Sequence, residues 1–268
     1  MILNTNIKVR NNINIIGNGD KTILLAHGFG CDQKMWRFLT PMLERNFRVV
    51  LFDHVGSGQS DLSSYDKKKY SSLDGYAEDI VEICEQLTLK DVIFIGHSVS
   101  SMIGMRAAIQ SPHLFSRLVM ICPSPCFLNF PPEYAGGFEK EDLKELINLM
   151  DKNYIGWANY LAPLVMGADN ESVLIDELEG SFCSTDPRYA KPFAEVTFFS
   201  DDRATLSQIS MPTLVLQSAN DNLASVDVGR FIHEKIANSK LSILEAHGHC
   251  LHMTHPEEVF NEIVRFTA

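Results

Sequence analysis

Short, unbroken runs of apolar residues recur through the first part of the chain. They cover residues 12–16, 22–26, 48–52, 91–95 and 117–121. Apolar runs without polar alternation are typical of strands that are buried on both faces of a parallel sheet. Between them, apolar residues recur at helical spacing over residues 35–43, 73–87 and 102–109. This alternation predicts a mainly parallel sheet with helices on both faces.

The pattern changes at Cys122. A loop rich in proline and glycine comes first, and helical stretches without a convincing strand follow, at residues 138–152, 154–165, 172–181 and 190–199. Strand-like and amphipathic stretches then resume, at residues 213–216, 226–237, 240–244 and 256–266. We therefore expect an α/β core that is interrupted by one helical insert. The core covers residues 1–122 and 201–268, and the insert covers residues 123–200.

Composition excludes several classes of partner. The 268 residues contain 23 Lys and Arg against 34 Asp and Glu, which gives a net charge of −11. Because so acidic a surface repels phosphate backbones, we expect no nucleic-acid partner. No apolar stretch is long enough to span a membrane, and the first residues lack the pattern of a secretory signal. We therefore expect a cytoplasmic protein without a membrane partner, whose six cysteines are free thiols.

Ser98 is the strongest candidate for a nucleophile. It lies in the tract GHSVS at residues 96–100, after the predicted strand 91–95 and before a predicted helix. A serine on a sharp strand-to-helix turn is held in a strained conformation that exposes its hydroxyl above the sheet. The usual pattern is G-x-S-x-G, and here Ser100 replaces the last glycine. The alternative interpretation is a serine that only caps the helix.

A serine nucleophile needs a base, and the base needs an acid that orients it. Asp221 follows the predicted strand 213–216, and His249 follows the strand 240–244, in the order Ser, Asp, His that α/β-hydrolases use. Asp221 could instead be a loop or capping residue. His247 is the rival base, whereas we expect His252 and His255 at the surface or at the start of a helix.

The glycine-rich tract HGFG at residues 27–30 could supply backbone donors to the oxyanion that acyl transfer creates. We expect these donors to be the N–H groups of Phe29 and Val99, the second at the N-terminus of a helix. An ordinary glycine turn is the alternative. A G-x-G tract at residues 56–58 lacks the third glycine of a dinucleotide site, and the histidine-rich tract lacks partners at ligand spacing. We therefore expect no cofactor and no metal.

Several longer tracts resemble the RsbQ-like family of α/β-hydrolases, which includes a bacterial regulator of a stress sigma factor and the plant karrikin and strigolactone receptors. The resemblance rests on HGFGCDQKMW, LFDHVGSGQSD, GHSVS, PPEYAGGFE and GHCLHMTHP, and it extends from about residue 8 to residue 266. It implies a mostly parallel sheet of eight strands and a four-helix lid inserted after the sixth strand. It also implies a Ser98–Asp221–His249 triad and an oxyanion pair at Phe29 and Val99.

Aromatic side chains are frequent in the insert, and we expect some of them to face a small apolar cavity above Ser98. The candidates for substrate contact are Phe130, Trp157, Phe182, Phe198 and Cys250, although most such aromatics could simply hold the lid helices together. The sequence thus predicts a serine hydrolase that cleaves a small hydrophobic ester or lactone. The alternative is a regulator that senses a small molecule with the same site and acts with a partner, which the resemblance suggests is a regulatory phosphatase.

Overall fold

The computed structural model describes residues 6–268. The N-terminal tract in which no secretory signal is expected begins in residues 1–5, which lie outside the described part. The strands are β1 Asn14–Ile16, β2 Lys21–Ala26, β3 Phe47–Leu51, β4 Val92–His97, β5 Phe115–Ile121, β6 Thr213–Asn220 and β7 Ser239–His247. They form one sheet in the order β1-β3-β2-β4-β5-β6-β7.

The sheet is parallel except at one edge. β1 pairs antiparallel with β3, and every other pair of neighbouring strands is parallel. The mainly parallel sheet is therefore confirmed, but residues 6–268 contain seven strands rather than eight. The residues that precede β1 form a short helix, Ile7–Arg10, whose first turn is capped by the side chain of Asn6. The helical insert consequently follows the fifth strand of this sheet, not the sixth.

The inner strands β2 to β6 are buried on both faces because their side chains alternate between two apolar clusters. In β2, Ile23 and Leu25 belong to the cluster that contains Trp36, whereas Leu24 and Ala26 belong to the cluster on the other face. This geometry explains why the strands have apolar residues at consecutive positions.

The helices are α1 Ile7–Arg10, α2 Thr40–Leu43, α3 Leu73–Gln86, α4 Val99–Gln110, α5 Lys140–Lys152, α6 Tyr154–Met166, α7 Ser172–Ser184, α8 Pro187–Phe198, α9 Val226–Lys235, α10 Leu251–Thr254 and α11 Pro256–Thr267. Short 3-10 helices cover Gln33–Trp36, Leu62–Ser64, Lys69–Ser71, Pro112–Leu114 and Leu206–Gln208. None of the helices in residues 6–268 has the length and apolar character that would let it cross a membrane.

The one predicted helix that the structure divides is the stretch 35–43. It becomes the 3-10 helix Gln33–Trp36 and the short helix α2, with Pro41 in the first turn of α2. Proline lacks the N–H that a helix interior uses and clashes with the carbonyl four residues earlier, so the first turn of a helix accommodates it at the lowest cost. The apolar pattern thus predicts the buried face of 35–43 correctly, but its prediction of one continuous helix is wrong.

The helices α5 to α8 lie between β5 and β6 and cover the carboxyl ends of the strands, where they share the first apolar cluster with the core. Trp157, Leu161, Phe182 and Phe198 are among the residues through which they pack on it. The division into a core and an insert at residues 123 and 200 stays a prediction. What matters for the site is that a helical layer faces the loops that follow β2, β4, β6 and β7.

Candidate active site

Ser98 occupies the turn between β4 and α4 in a conformation that serine rarely adopts. Its φ is +54° and its ψ is −124°, and its N–H donates to the carbonyl of Ile121 in β5 at 2.9 Å. The turn has no room for a side chain at Gly96, where a Cβ would lie 2.5 Å from the carbonyl oxygen of Ser100. The structure therefore holds Ser98 in a strained turn of the kind that exposes a nucleophile.

A continuous hydrogen-bond chain joins Ser98 to His249 and Asp221. His249 Nε2 lies 2.8 Å from Ser98 Oγ, and His249 Nδ1 lies 2.7 Å from Asp221 Oδ2. Asp221 Oδ1 accepts hydrogen bonds from the N–H groups of Leu223 and Ala224 at 2.8 and 3.1 Å. With one oxygen held by the backbone, the other is fixed towards the imidazole, and this geometry suits a base that takes a proton from Ser98.

The rival histidine points elsewhere. The side chain of His247 is 56% exposed, whereas that of His249 is 2% exposed. His247 Nδ1 lies 3.7 Å from Asp169 Oδ2. Gly248 separates the two histidines with a φ of +87°, and a Cβ at this position would lie 1.9 Å from the carbonyl oxygen of Met166. The glycine lets the chain turn so that His249, and not His247, faces Ser98.

The end of α6 is bonded to the loops that carry Asp221 and His249. The N–H of His249 donates to the carbonyl of Val165 at 2.8 Å, and Asn222 Nδ2 donates to the carbonyl of Leu164 at 3.1 Å. The last carbonyls of a helix have no partner within the helix, so these bonds satisfy groups that would otherwise be free. A movement of the end of α6 would therefore displace the backbone of His249.

The N–H groups of Phe29 and Val99, the predicted oxyanion donors, lie at the ends of two neighbouring strands. Phe29 follows β2 and Val99 begins α4, and within residues 6–268 neither N–H donates to a backbone carbonyl. Gly28 keeps the loop close to Ser98, since a Cβ there would lie 2.5 Å from His97 Nδ1 and 3.5 Å from Ser98 Cβ. The helix N-terminus adds a favourable dipole at the same place.

A second serine–histidine contact lies just below the site, and the sequence analysis missed its histidine. His54 Nε2 lies 2.7 Å from Ser100 Oγ, and Ser100 Oγ donates to the carbonyl of His27. Ser100 and His54 are fully buried, and no carboxylate in the described residues hydrogen-bonds to His54. Burial lowers the pKa of His54 well below its usual value, so the ring stays neutral. This contact links the first turn of α4 to the loop after β3, and neither residue lines the cavity. Its only sequence signal is the position of His54 just beyond β3.

A small apolar cavity opens above Ser98. The space left for the centre of a water-sized sphere is about 30 Å³, where about 10–15 Å³ suffices for one water molecule. Its walls are formed by Phe29, Cys31, His97, Ser98, Phe127, Leu161, Val165, Leu178, Phe182, Thr197, Phe198, Leu223, His249 and Cys250. On its outer side a groove of about 640 Å³ runs between α5 and α6 and shares Leu161 and Leu223 with the cavity.

The predicted substrate contacts divide into three groups. Phe182, Phe198 and Cys250 line the cavity. Trp157 is fully buried behind the wall, where its ring packs against Phe182 with centroids 5.3 Å apart. Phe130 does not line the cavity, contrary to expectation; it is 40% exposed, and the guanidinium of Arg203 lies on its ring face.

His252 is the second residue of α10, as expected of a residue at the start of a helix, but it does not lie at the surface. It is fully buried in α10, with its ring centroid 4.6 Å from that of Trp36 and 4.4 Å from that of His97. Burial lowers the pKa of His252 to about 3, so its ring is neutral at physiological pH. His255 immediately precedes α11, also as expected of a residue at the start of a helix.

One group of side chains in residues 6–268 has donor atoms close enough for a metal, namely Cys122, Asp221 and His249, whose atoms lie within 4.8 Å of one another. Two of these residues are already hydrogen-bonded to each other. Burial raises the pKa of the Cys122 thiol well above its usual value, so the thiolate that binds metals is not available near neutral pH. The donor set fits a Ser–His–Asp arrangement and not a metal site.

The fold and this site define a class of protein. A parallel sheet with a serine on the turn after its central strand, followed along the chain by Asp and then His, is the arrangement of α/β-hydrolases. A sequence model of the alpha/beta hydrolase fold matches residues 21–256. The chain belongs to this family, and the prediction of a hydrolase is confirmed.

Known relatives narrow the comparison. The chain is 37% identical to the karrikin insensitive 2 receptor CA of Petunia hybrida over 260 residues, which cover 97% of this chain and 96% of the relative. It is 34% identical to the strigolactone esterase D14 of Arabidopsis thaliana over 249 residues, which cover 92% of each chain. The solved structure of a hydrolase from Oleispira antarctica is similar with a TM-score of 0.96 and 60% identity, over 97% of this chain and 96% of that one.

Proposed function

We propose that this chain, an ester-cleaving α/β-hydrolase, cleaves a small hydrophobic carboxylic ester or lactone through an acyl-enzyme at Ser98. The observation that carries the proposal is the hydrogen-bond chain from Asp221 through His249 to Ser98, which ends at an apolar cavity. The Arabidopsis relative is called a strigolactone esterase, which supports an ester or lactone as the bond that is cleaved.

In the first half of the reaction, Ser98 Oγ attacks the carbonyl carbon while His249 Nε2 takes its proton. The negative oxygen of the tetrahedral intermediate accepts hydrogen bonds from the N–H groups of Phe29 and Val99. Each such donor is worth about 2.7–4 kcal/mol in the transition state. Asp221 accepts from His249 Nδ1–H and stabilises the imidazolium.

In the second half, the bond to the alcohol oxygen breaks and His249 Nε2–H gives its proton to that oxygen. A water molecule then attacks the acyl-enzyme while His249 takes its proton, and the acid is released as Ser98 regains its hydrogen. With a lactone, the alcohol and the acid remain parts of one molecule. Among the residues of the site, only Ser98 and His249 change their protonation, while Asp221 stays ionised and the two backbone donors keep their protons.

The walls of the cavity support an apolar and small substrate. Phe29, Phe182 and Phe198 contribute hydrocarbon surface next to Ser98, and no Lys or Arg lines the cavity among the described residues. A substrate larger than a few atoms requires the aromatic rings or the insert to move. We propose that it enters from the groove between α5 and α6, which shares Leu161 and Leu223 with the cavity.

The decisive experiment compares matched variants on a short-chain p-nitrophenyl ester. Ser98→Ala and His249→Gln should each lower kcat/KM by about 10⁴-fold or more. His247→Gln, two residues from His249 but exposed, should retain activity close to that of the wild type. Equal losses in the two histidine variants, or full activity of Ser98→Ala, would contradict the proposal.

A second candidate function is a regulator that senses a small molecule with the same site and passes the signal to a partner. The bonds from His249 and Asn222 to the end of α6 favour it, since a change at the site would be transmitted to the insert. The petunia relative is called a receptor. The RsbQ-like resemblance suggests a regulatory phosphatase as the partner, and both functions assume the cytoplasmic location that the sequence predicts.

This second function predicts a conformational change in the insert. Modification of Ser98 by a small serine-reactive phosphonate should change amide hydrogen exchange in α6, and Asn222→Ala should weaken that response. Unchanged exchange in α6 after complete modification would leave the hydrolase as the function and remove the regulator.

A further inference from the structure

Thr197 places a free hydroxyl group in the wall of the cavity above Ser98. It lies near the end of α8, is 2% exposed and is one of the lining residues. Its Oγ1 is buried and has no hydrogen-bond partner among the described residues. A threonine in a helix commonly donates to the carbonyl four residues earlier, but Thr197 does not use the carbonyl of Phe193 in this way.

The other polar groups around the cavity are engaged or unsuited to bind a neutral oxygen. Ser98 and His249 are bonded to each other. The free Nδ1 of His97 faces Gly28, because a Cβ on that glycine would lie only 2.5 Å away. Burial raises the pKa of the thiols of Cys31 and Cys250, so they remain protonated, and an S–H group is a weak donor. Thr197 is thus the strong hydrogen-bonding group that this wall leaves unused.

A buried hydroxyl without a partner destabilises the folded protein, so its presence in an apolar wall calls for an explanation. A site that hydrogen-bonds to a substrate oxygen also discriminates against an analogue that lacks the oxygen, because the protein group is then left unpaired. Thr197 lies in the cavity wall and its hydroxyl is unpaired, so it can form such a hydrogen bond to a substrate.

We infer that Thr197 Oγ1 hydrogen-bonds to a second oxygen of the substrate, an ether, hydroxyl or carbonyl oxygen outside the ester bond that is cleaved. The inference rests on the proposed ester or lactone hydrolysis at Ser98. It narrows the substrate class from small hydrophobic esters in general to small esters or lactones with an additional oxygen function. Thr197 then determines specificity without taking part in the proton transfers.

The test uses p-nitrophenyl esters of three acids with equal numbers of heavy atoms: butyric, methoxyacetic and 3-hydroxypropanoic acid. The last two carry one oxygen at successive positions in place of a carbon atom. For each oxygenated ester, kcat/KM is divided by the value for the butyrate ester, and this ratio is compared between wild type, Thr197→Val and Thr197→Ser. Division by the butyrate value and comparison between variants cancel the intrinsic reactivity of each ester.

Thr197→Val, which keeps the shape of the side chain, should lower the ratio about 5–10-fold for at least one oxygenated ester, the effect of one neutral hydrogen bond. Thr197→Ser, which keeps the hydroxyl, should retain most of the ratio. Thr197→Val should also raise Tm by about 2–4 °C, because it removes an unpaired buried hydroxyl. A merely structural threonine would change all three esters alike.

Ratios that change less than twofold for both oxygenated esters, with the wild type active on all three, would overturn this inference and leave the proposed function standing. A wild type that hydrolyses none of the esters would contradict the proposed function and the inference with it. The two failures are therefore distinguishable within one experiment.

Discussion

At the scale of single residues, Ser100 connects the helix of the nucleophile to the loop that carries Phe29. Because Ser100 Oγ donates its one proton to the carbonyl of His27, His54 must donate from Nε2 to Ser100. The N–H of His54 in turn donates to His27 Nε2 at 3.1 Å. The proton positions follow from this network, and both rings are neutral, in agreement with pKa values that burial lowers. A glycine at position 100 would leave the loop without this tie.

Ser100→Ala should therefore destabilise the protein and slow catalysis. It leaves His54 Nε2–H and the carbonyl of His27 without partners, which should lower the free energy of unfolding by about 1–3 kcal/mol. A less firmly held Phe29 N–H should lower kcat several-fold while KM changes little, because the oxyanion forms only during the reaction. Urea denaturation and ester kinetics measure the two effects.

Ser101→Ala is the matched control. Ser101 Oγ is also buried, but it donates to the carbonyl of Gly96 at 2.9 Å, within the turn of the nucleophile, and does not reach His27. It should lose stability without the same loss of kcat. If Ser100→Ala retains wild-type kcat, the contact with His27 serves packing alone.

At the scale of elements, the contact between α7 and the loop after β2 depends on one glycine. Gly30 has a φ of +71°, and a Cβ there would lie 2.3 Å from the ring of Phe182. Ser181 Oγ donates to the carbonyl of Gly30 at 2.8 Å. The insert thus packs directly on the loop that contains Phe29, and this contact leaves no room for a side chain at position 30.

Gly30→Ala should separate α7 from that loop. We expect a loss of more than about 2 kcal/mol in the free energy of unfolding, from the clash together with the unfavourable φ. A fall in kcat/KM should accompany it, since Phe29 and Phe182 both line the cavity. Chemical denaturation and kinetics on the same ester measure both.

Gly180→Ala, a substitution within α7 itself, should have the opposite effect on stability. A Cβ at Gly180 meets nothing within 4 Å, and alanine is a better helix former, so this variant should gain about 0.5–1 kcal/mol. Similar stability in the two variants would show that contact at Gly30 does not hold α7 in place.

Most elements could be predicted because their apolar periods are local. The strand runs at 48–52 and 117–121 correspond to β3 and β5 within one or two residues, and the insert helices begin within a few residues of their predicted positions. The division of 35–43 required weighing Pro41 against an otherwise good apolar stripe. The eighth strand came from the family resemblance and not from an apolar run of this chain.

At the scale of the whole molecule, the Ser–Asp–His constellation could be predicted because parallel strands bring their carboxyl ends to one edge of the sheet. Ser98, Asp221 and His249 each follow such a strand, so chain order and strand assignment indicated all three, whereas the choice of His249 over His247 depends on the turn at Gly248. The cavity wall could not be ranked in the same way. Whether Phe130 or Thr197 faces Ser98 depends on how the insert rests on the core, which no local period encodes.

The core contains a group of buried histidines, another property that emerges only in three dimensions. Apart from His249 in the site, they are His27, His54, His97 and His252, and all are between 0 and 3% exposed. Burial lowers the pKa of each, because removal from water disfavours the charged ring. The folded protein therefore holds four neutral rings that take up protons when the chain unfolds in mild acid.

This arrangement makes the folded state sensitive to acid. Between the unfolded pKa of about 6.5 and the lower folded values, the unfolded chain binds more protons, so stability is present above that range and is lost as the pH falls. For His252, whose folded pKa is about 3, the loss should be about 1 kcal/mol between pH 7 and pH 5.5. Asp79 and Asp202, whose pKa burial raises, act in the opposite sense, so the net loss is less than the sum over the four rings.

His252→Phe isolates one of these protons. Phenylalanine can keep the packing between Trp36 and His97, and it removes two ring nitrogens that have no partner in the described structure. Guanidinium denaturation at pH 7 and pH 5.5 should show a pH dependence smaller than that of the wild type by about 1 kcal/mol. The exposed His113, changed to Gln, should leave the dependence as it is. If His252→Phe keeps the full wild-type dependence, the ring is not held neutral by its burial, and the acid sensitivity must come from other groups.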